Sequence, residues 1–199
     1  MPIAVLEKAE DAVPLAGALR AGGLDIIEIP LRTAAAGQCI RNIKKAFPDM
    51  LVGAGTLLTV DQVKRAHAAG AEFGVAPGLN ETVVKAALDL GMPFVPGVAT
   101  ASEVERALAL GCKLQKLFPA DVLGGVKLLK AFTGPFGHTG VKFIPLGGVN
   151  AKNAADYLAL TIVAAVGGSW LADKKLVAEK NWAEITRLTA EIIAIAAKK

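Results

Sequence analysis

Cysteine and histidine are scarce in this sequence, which has two of each among 199 residues. Cys39 and Cys112 are too few for a disulfide scaffold, and neither has a neighbour at metal-ligand spacing. His67 and His138 stand alone, which argues against a histidine-based metal site. We therefore expect no bound metal, and we predict that both thiols are buried structural side chains.

Aromatic residues make up only 5% of the sequence, and basic residues form no run apart from Lys198-Lys199. The net charge is a modest +4, and basic and aromatic residues do not alternate, so a nucleic-acid partner is not expected. No apolar run approaches the roughly 18 residues of a membrane span, and the first residues lack a signal-peptide layout. We therefore expect no membrane partner and a cytoplasmic protein.

Short apolar runs alternate with alanine-rich amphipathic runs along the whole chain, in which 53% of residues are hydrophobic. The apolar runs predict eight strands, at residues 3–6, 25–31, 51–56, 73–77, 94–98, 113–118, 142–146 and 162–166. The amphipathic runs predict helices at residues 9–22, 34–46, 59–69, 80–90, 100–110, 121–132, 150–159 and 181–197. Eight β/α units predict one α/β domain over residues 1–199, a (β/α)8 TIM barrel. An open doubly wound sheet is the alternative, but the strands are short and no GxGxxG motif opens the first helix.

Lys116 is the most informative residue, because it lies within a predicted strand. Period-2 alternation places Leu114, Lys116 and Phe118 on one face of that strand. An amine desolvated by such neighbours has a depressed pKa and can attack a carbonyl group to form a Schiff base. The alternative is a lysine that extends its ammonium into solvent at the strand end.

Further polar residues stand near the predicted carboxyl ends of strands, where barrels of this kind have their active sites. Glu28 interrupts an apolar strand, which favours a general acid/base beside the amine. A buried ion pair of Glu28 with Lys116 or Arg32 is the alternative. Arg32 offers a planar fork for a substrate carboxylate, or is a surface arginine. Thr56 taken alone is predicted to cap the following helix.

Glycine pairs end the last two predicted strands, at Gly147-Gly148 and at Gly167-Gly168, which Ser169 follows. In barrels these loops commonly bind phosphate through backbone N–H groups, and glycine lets the anion approach the backbone. Two such pairs on adjacent strands predict a site for phosphate or another oxyanion.

Short segments spread over nearly the whole chain, in a fixed order, carry a family resemblance. They are residues 21–23, 27–29, 31–33, 52–56, 70–73, 76–79, 96–98, 116–120, 124–127, 134–136, 147–149, 156–159 and 167–170. In these segments the chain resembles the 2-keto-3-deoxy-6-phosphogluconate (KDPG) / 4-hydroxy-2-oxoglutarate (KHG) aldolases. These are class I enzymes on a (β/α)8 barrel that cleave their substrates to pyruvate and an aldehyde.

The resemblance implies a role for each candidate residue. Lys116 would be the Schiff-base lysine and Glu28 the acid/base. Arg32 and Thr56 would hold the pyruvyl carboxylate, and Pro77 and Phe118 would line the pocket. The resemblance places phosphate at Gly147, Gly148, Gly167, Gly168 and Ser169. It also implies a homotrimer, a phosphorylated keto-acid substrate, and no metal or organic cofactor.

Leu146 and Pro30 depart from the family pattern, which has threonine at both positions. The 2-keto-3-deoxy-6-phosphogalactonate aldolases look like this chain at both places but lack its Gly167–Trp170 segment, so they are the main alternative. A catalytically idle or engineered barrel used as an oligomeric scaffold is a second hypothesis. A phosphosugar isomerase or epimerase with Glu28 as base is a third. The family's helix before strand one is not found, so we expect a barrel without it, as in a truncated or engineered chain.

Overall fold

The structure is a computed structural model that describes residues 1–197. Its strands are all parallel and are numbered here by their position around the sheet. β1 is the segment at residues 2–3, and β2, β3 and β4 are Ile26–Pro30, Leu51–Gly55 and Phe73–Val75. β5 comprises Phe94–Val95 and Gly97–Val98, β6 is Leu114–Leu117, β7 is Lys142–Pro145, and β8 is the segment at residues 163–168.

Backbone pairing closes these strands into a barrel. β2, β3, β4 and the first part of β5 form one ladder, and the second part of β5, β6 and β7 form another. Pro96 joins the two ladders, because its carbonyl accepts a hydrogen bond of 2.9 Å from the Lys116 N–H. β1 bridges to Glu28 on one side and to Gly168 on the other, while Val163 bridges to β7. The predicted (β/α)8 barrel is therefore confirmed.

Within residues 1–197, nine α-helices surround the strands. They are α1 Ala12–Ala21, α2 Ala36–Ala46, α3 Val60–Ala68, α4 Glu81–Asp89, α5 Ala101–Ala109, α6 Gly125–Phe136, α7 Ala154–Leu158, α8 Lys174–Ala178 and α9 Trp182–Ala196. Short 3-10 turns lie at Ala9–Asp11, Gly137–Thr139 and Trp170–Ala172. The sequence patterns do not predict α8, and α6 lies about four residues later than predicted. In this part of the chain, none of the helices combines the length and the apolar surface that a bilayer crossing requires.

Side-chain caps fix the starts of the helices that follow β3, β4 and β5. Thr59 and Gln62 form a capping box at α3, and Thr100 and Glu103 form another at α5. The Asn80 side chain accepts hydrogen bonds from two N–H groups of the first turn of α4. Each cap satisfies helix donors that would otherwise be unpaired, typically a contribution of about 1 kcal/mol.

The apolar core has two layers. Phe73, Val75, Val95, Ile144 and Leu146 fill the barrel interior, and a larger cluster lies between the strands and the helices. Both cysteines belong to the outer cluster as free, buried thiols, as predicted.

Gly53 in β3 lets the Phe73 ring lie flat against its backbone. A Cβ atom at residue 53 would overlap that ring, which is nearly buried in the barrel interior. Close approach of a backbone to an aromatic ring therefore requires glycine at this point.

We predict that Gly53→Ala lowers the free energy of unfolding by about 1–3 kcal/mol, because the added methyl group overpacks the barrel interior. Urea unfolding followed by circular dichroism measures this change. Gly134→Ala in α6 is the matched control: nothing lies within 4 Å of its added Cβ. Since alanine is the better helix former, the control should be unchanged or stabilised by up to about 1 kcal/mol. Equal stability of the two variants would contradict this account of Gly53.

Candidate active site

A cavity of about 540 Å³ opens at the carboxyl ends of the strands. The predicted site residues that line it are Glu28, Arg32, Thr56, Pro77, Lys116, Phe118, Gly147, Gly148, Gly168 and Ser169. Gly167 does not line the cavity. A Cβ atom at residue 167 would lie 2.9 Å from Leu146 Cγ, so this glycine leaves space for a side chain that does line it.

Lys116 lies in β6 with its side chain inside the barrel mouth and only 6% exposed. Its Nζ atom is 5.0 Å from the centroid of the Phe118 ring. Burial lowers the pKa of the amine below its ordinary value, although the charge of Glu28 acts in the opposite direction. Lys116 therefore does not extend its ammonium into solvent. Because its pKa is lowered, a larger fraction of this amine is neutral at neutral pH than of an exposed lysine.

Glu28 lies in β2 and is 1% exposed. Burial raises the pKa of its carboxyl group, and the positive charge of Lys116 opposes that rise. Its Oε2 atom has no hydrogen-bond partner among residues 1–197, and no salt bridge in that range joins it to Lys116 or Arg32. The neighbouring Gly55 provides the space for this carboxyl group, because a Cβ atom there would overlap it. A desolvated carboxyl group with a free oxygen beside a cavity is suited to proton transfer.

Arg32 and Thr56 follow β2 and β3 and stand on the wall of the same cavity. The Arg32 side chain forms no salt bridge within residues 1–197, so its guanidinium can pair with an anionic ligand. Thr56 does not cap α3, because Thr59 occupies that position; the prediction from Thr56 taken alone is wrong. Thr56 instead has a positive φ of 57°, an uncommon conformation for a β-branched residue.

The residues that follow β7 and β8 add backbone N–H groups to the cavity lining. In the described chain, the N–H groups of Gly147, Gly148, Val149 and Ser169 donate to no protein acceptor. Gly147 and Gly148 both have positive φ, at 90° and 84°. A Cβ atom at residue 148 would overlap Asp121, so glycine is required at this turn. Unpaired donors that converge on a cavity are suited to an oxyanion.

The Gly168 N–H group is already occupied, because it donates a hydrogen bond of 3.2 Å to the Met1 carbonyl. Among the residues predicted to bind an anion, the unpaired backbone donors that line the cavity are thus Gly147, Gly148 and Ser169. Gly168 forms part of the wall, where a Cβ atom would overlap the Trp170 ring.

The sequence patterns do not single out several residues of the cavity wall. These are Ile3, Val5, Val149, Ala172, Asp173 and Lys174. The last two belong to the start of the unpredicted helix α8, for which Asp173 is the N-cap. Asp173 followed by Lys174 and Lys175 was the sequence signal for a capped helix start. The helix was still not predicted, because its five residues are too few to show helical periodicity. Within residues 1–197, no group of three or more His, Cys, Asp or Glu side chains is arranged to hold a metal ion.

The chain is similar to known proteins over nearly its whole length. The family model described as KDPG and KHG aldolase matches residues 1–188. This chain belongs to the KDPG and KHG aldolase family. A 2-dehydro-3-deoxy-phosphogluconate aldolase from Treponema pallidum is 43% identical over 98% of this chain and 92% of its own length.

Solved structures extend this similarity to the fold. A KDPG aldolase from Legionella pneumophila, with pyruvate captured at low pH as a covalent carbinolamine intermediate, has a TM-score of 0.91 and 42% identity. That match covers 95% of this chain and 91% of the Legionella chain. A KDPG aldolase from Zymomonas mobilis with 3-phosphoglycerate has a TM-score of 0.88 and 40% identity, over 100% and 91% of the two chains. The family resemblance of the sequence is therefore confirmed.

We predict that Glu28→Gln lowers the pKa of Lys116 further, because it removes the nearby negative charge that favours the ammonium form. A pH titration of the Lys116 side chain by NMR, with 13C-labelled lysine, measures this shift. Glu72→Gln is the control, since Glu72 pairs with Lys44 at the other end of the barrel. A Lys116 pKa that rises or stays constant in Glu28→Gln would show that the two groups do not interact.

Proposed function

We propose that this chain is a class I aldolase, a carbon–carbon lyase that cleaves KDPG to pyruvate and glyceraldehyde 3-phosphate through a Schiff base on Lys116. The observation that carries the proposal is a buried lysine with a lowered pKa that lines one cavity with a buried glutamate. The covalent pyruvate carbinolamine in the Legionella relative supports the same chemistry. KHG, which would yield pyruvate and glyoxylate, is a second substrate of the same type.

The first steps form the electron sink. The lone pair of neutral Lys116 Nζ attacks the C2 keto carbon and gives a carbinolamine, which loses water to become an iminium ion. Arg32 and Thr56 hold the substrate carboxylate, so the keto carbon stays within reach of the amine. The positive iminium nitrogen can then accept the electron pair of the C3–C4 bond.

Glu28 carries the proton transfer. As the C3–C4 bond breaks, its carboxylate takes the C4 hydroxyl proton directly or through one water molecule, and the aldehyde leaves. Protonation of the remaining enamine at C3 and hydrolysis of the imine release pyruvate and restore the lysine. Since the imine supplies the electron sink, the proposed reaction requires no metal or organic cofactor.

The far end of the cavity fits the phosphate of the substrate. The free N–H groups at residues 147–149 and Ser169 are donors for phosphate oxygens. Binding this remote group fixes the sugar acid along the cavity and so orients its reacting carbons. The proposal includes a homotrimer, which the family resemblance implies, and a cytoplasmic location, which is the expectation from the sequence patterns described above.

Leu146 and Pro30 support the main alternative substrate, the KDPG epimer 2-keto-3-deoxy-6-phosphogalactonate. Both side chains line the cavity and are apolar, so neither offers a hydroxyl to the aldehyde part of the substrate. Such a wall discriminates weakly between epimers that differ in one hydroxyl position.

We predict that Lys116→Ala abolishes trapping by borohydride in the presence of pyruvate and lowers turnover roughly 10⁴-fold or more. Mass spectrometry of the intact and digested protein detects the reduced adduct. Lys113→Ala is the matched control, because Lys113 lies in the same stretch but is exposed, and it should keep the adduct. No adduct in a folded wild-type sample would favour an idle scaffold, and substantial turnover by Lys116→Ala would favour an isomerase or epimerase.

We predict that kcat/KM for KDPG exceeds that for its phosphogalactonate epimer by roughly tenfold, since the chain keeps the Gly167–Trp170 segment that the phosphogalactonate enzymes lack. Side-by-side assays that couple pyruvate release to lactate dehydrogenase measure both values, with KHG as a third substrate. Faster cleavage of the epimer would assign the chain to the alternative.

A further inference from the structure

Positive charge is unevenly distributed along the cavity. Among its described lining residues the cationic side chains are Arg32, Lys116 and Lys174. The first two serve the keto-acid end in the proposed reaction. The residues to which the proposed function assigns the phosphate, 147–149 and Ser169, are uncharged, and Lys174 at the start of α8 is the one further cation among the described lining residues. Of the described lining residues, Lys174 is therefore the one left to give a bound phosphate dianion a charge-assisted contact.

Lys174 stands on a wall shared by two cavities. It lines the main cavity and also a second one of about 320 Å³, whose other lining residues include Glu7 and Lys8. Its Nζ atom lies 3.6 Å from Glu7 Oε1, and both side chains are about 70% exposed, at 69% and 70%. Exposed ion pairs of this kind are weak, so little free energy opposes an exchange of partners.

The negative charge of Asp173 gives a nearby cation a role in phosphate binding. Its carboxylate also lines the main cavity and caps α8 by accepting a 2.8 Å hydrogen bond from the Lys175 N–H. A negative charge beside a phosphate group opposes binding of the dianion. An ammonium at the next residue offsets that repulsion when it turns towards the phosphate.

We propose that Lys174 is a specificity-determining residue, whose ammonium exchanges Glu7 for the phosphate group of the substrate. The inference rests on the proposed function and adds to it a cationic ligand outside the glycine loops. Glu7 holds Lys174 at the cavity mouth before the substrate binds and competes with the phosphate for it afterwards. A substrate with a hydroxyl in place of the phosphate gains nothing from this exchange.

The test compares Lys174→Ala with Lys175→Ala, which removes the same charge one residue away. Lys175 lies outside the main cavity lining and is 3.9 Å from Glu179. The substrates are KDPG and its unphosphorylated counterpart, 2-keto-3-deoxygluconate. For Lys174→Ala we expect a loss of about fivefold in kcat/KM on KDPG, mainly through KM, and less than twofold on the counterpart. Lys175→Ala should change neither by more than about twofold, and 0.5 M salt should shrink the Lys174 effect.

Glu7→Gln tests the same exchange of partners by removing the carboxylate that pairs with Lys174. Without the competing carboxylate, kcat/KM for KDPG should rise by about twofold, with the unphosphorylated substrate unaffected. Equal losses on both substrates in Lys174→Ala, or equal effects of the two lysine variants, would overturn the inference. Borohydride trapping with pyruvate separates the two failures. If the wild type forms the adduct but Lys174→Ala affects both substrates equally, only the role of Lys174 is refuted. If the wild type forms no adduct, the proposed function is refuted, and the inference with it.

Discussion

The site depends on two ionisable side chains that are kept out of water at the mouth of the barrel. Lys116 and Glu28 are both almost fully buried, and no salt bridge within residues 1–197 joins them. Burial lowers the pKa of the amine and raises that of the carboxyl group, so each is shifted towards its neutral form. An ion pair in direct contact would have held both groups charged and inert. The separation leaves the amine able to attack and the carboxyl group able to exchange a proton.

Glycine provides the space for side chains that pack tightly in and around the barrel mouth. Gly55 lies beside Glu28, Gly53 lies beside the Phe73 ring, and Gly148 lies beside Asp121. At each point a Cβ atom would overlap the neighbouring group. Because the eight strands are parallel, the residues that end them meet at one face of the barrel. Groups far apart in sequence, such as Glu28 and Lys116, therefore reach one cavity without any long loop.

Local sequence patterns predicted the parts of this arrangement that depend on local physics. Alternation within β6 placed Lys116 inside the barrel and Gln115 outside, where its amide donates to the carbonyls of Val104 and Cys112. The role of Gly167 in β8 depends on its contact with Leu146, which follows the neighbouring strand β7, and no single segment contains both residues. Helix α8 was missed because its five residues carry too little periodicity, and without that helix no pattern placed Lys174 in the cavity.

The two ends of the cavity differ in how strongly the fold constrains them. The end proposed to bind the keto acid consists of side chains on or just after strands. Glu28 and Lys116 there are buried, so their pKa values depend on the packing of the barrel around them. The end proposed to bind phosphate consists of turn backbone and, by the further inference, the exposed Lys174 of a short helix. Groups exposed in this way interact with a ligand through screened charge, and their replacement leaves the barrel core intact. If the proposed assignment holds, changes at the phosphate end alter which substrate binds without altering the lysine chemistry. This separation allows a single barrel to keep one reaction while the group at the far end of its substrate varies.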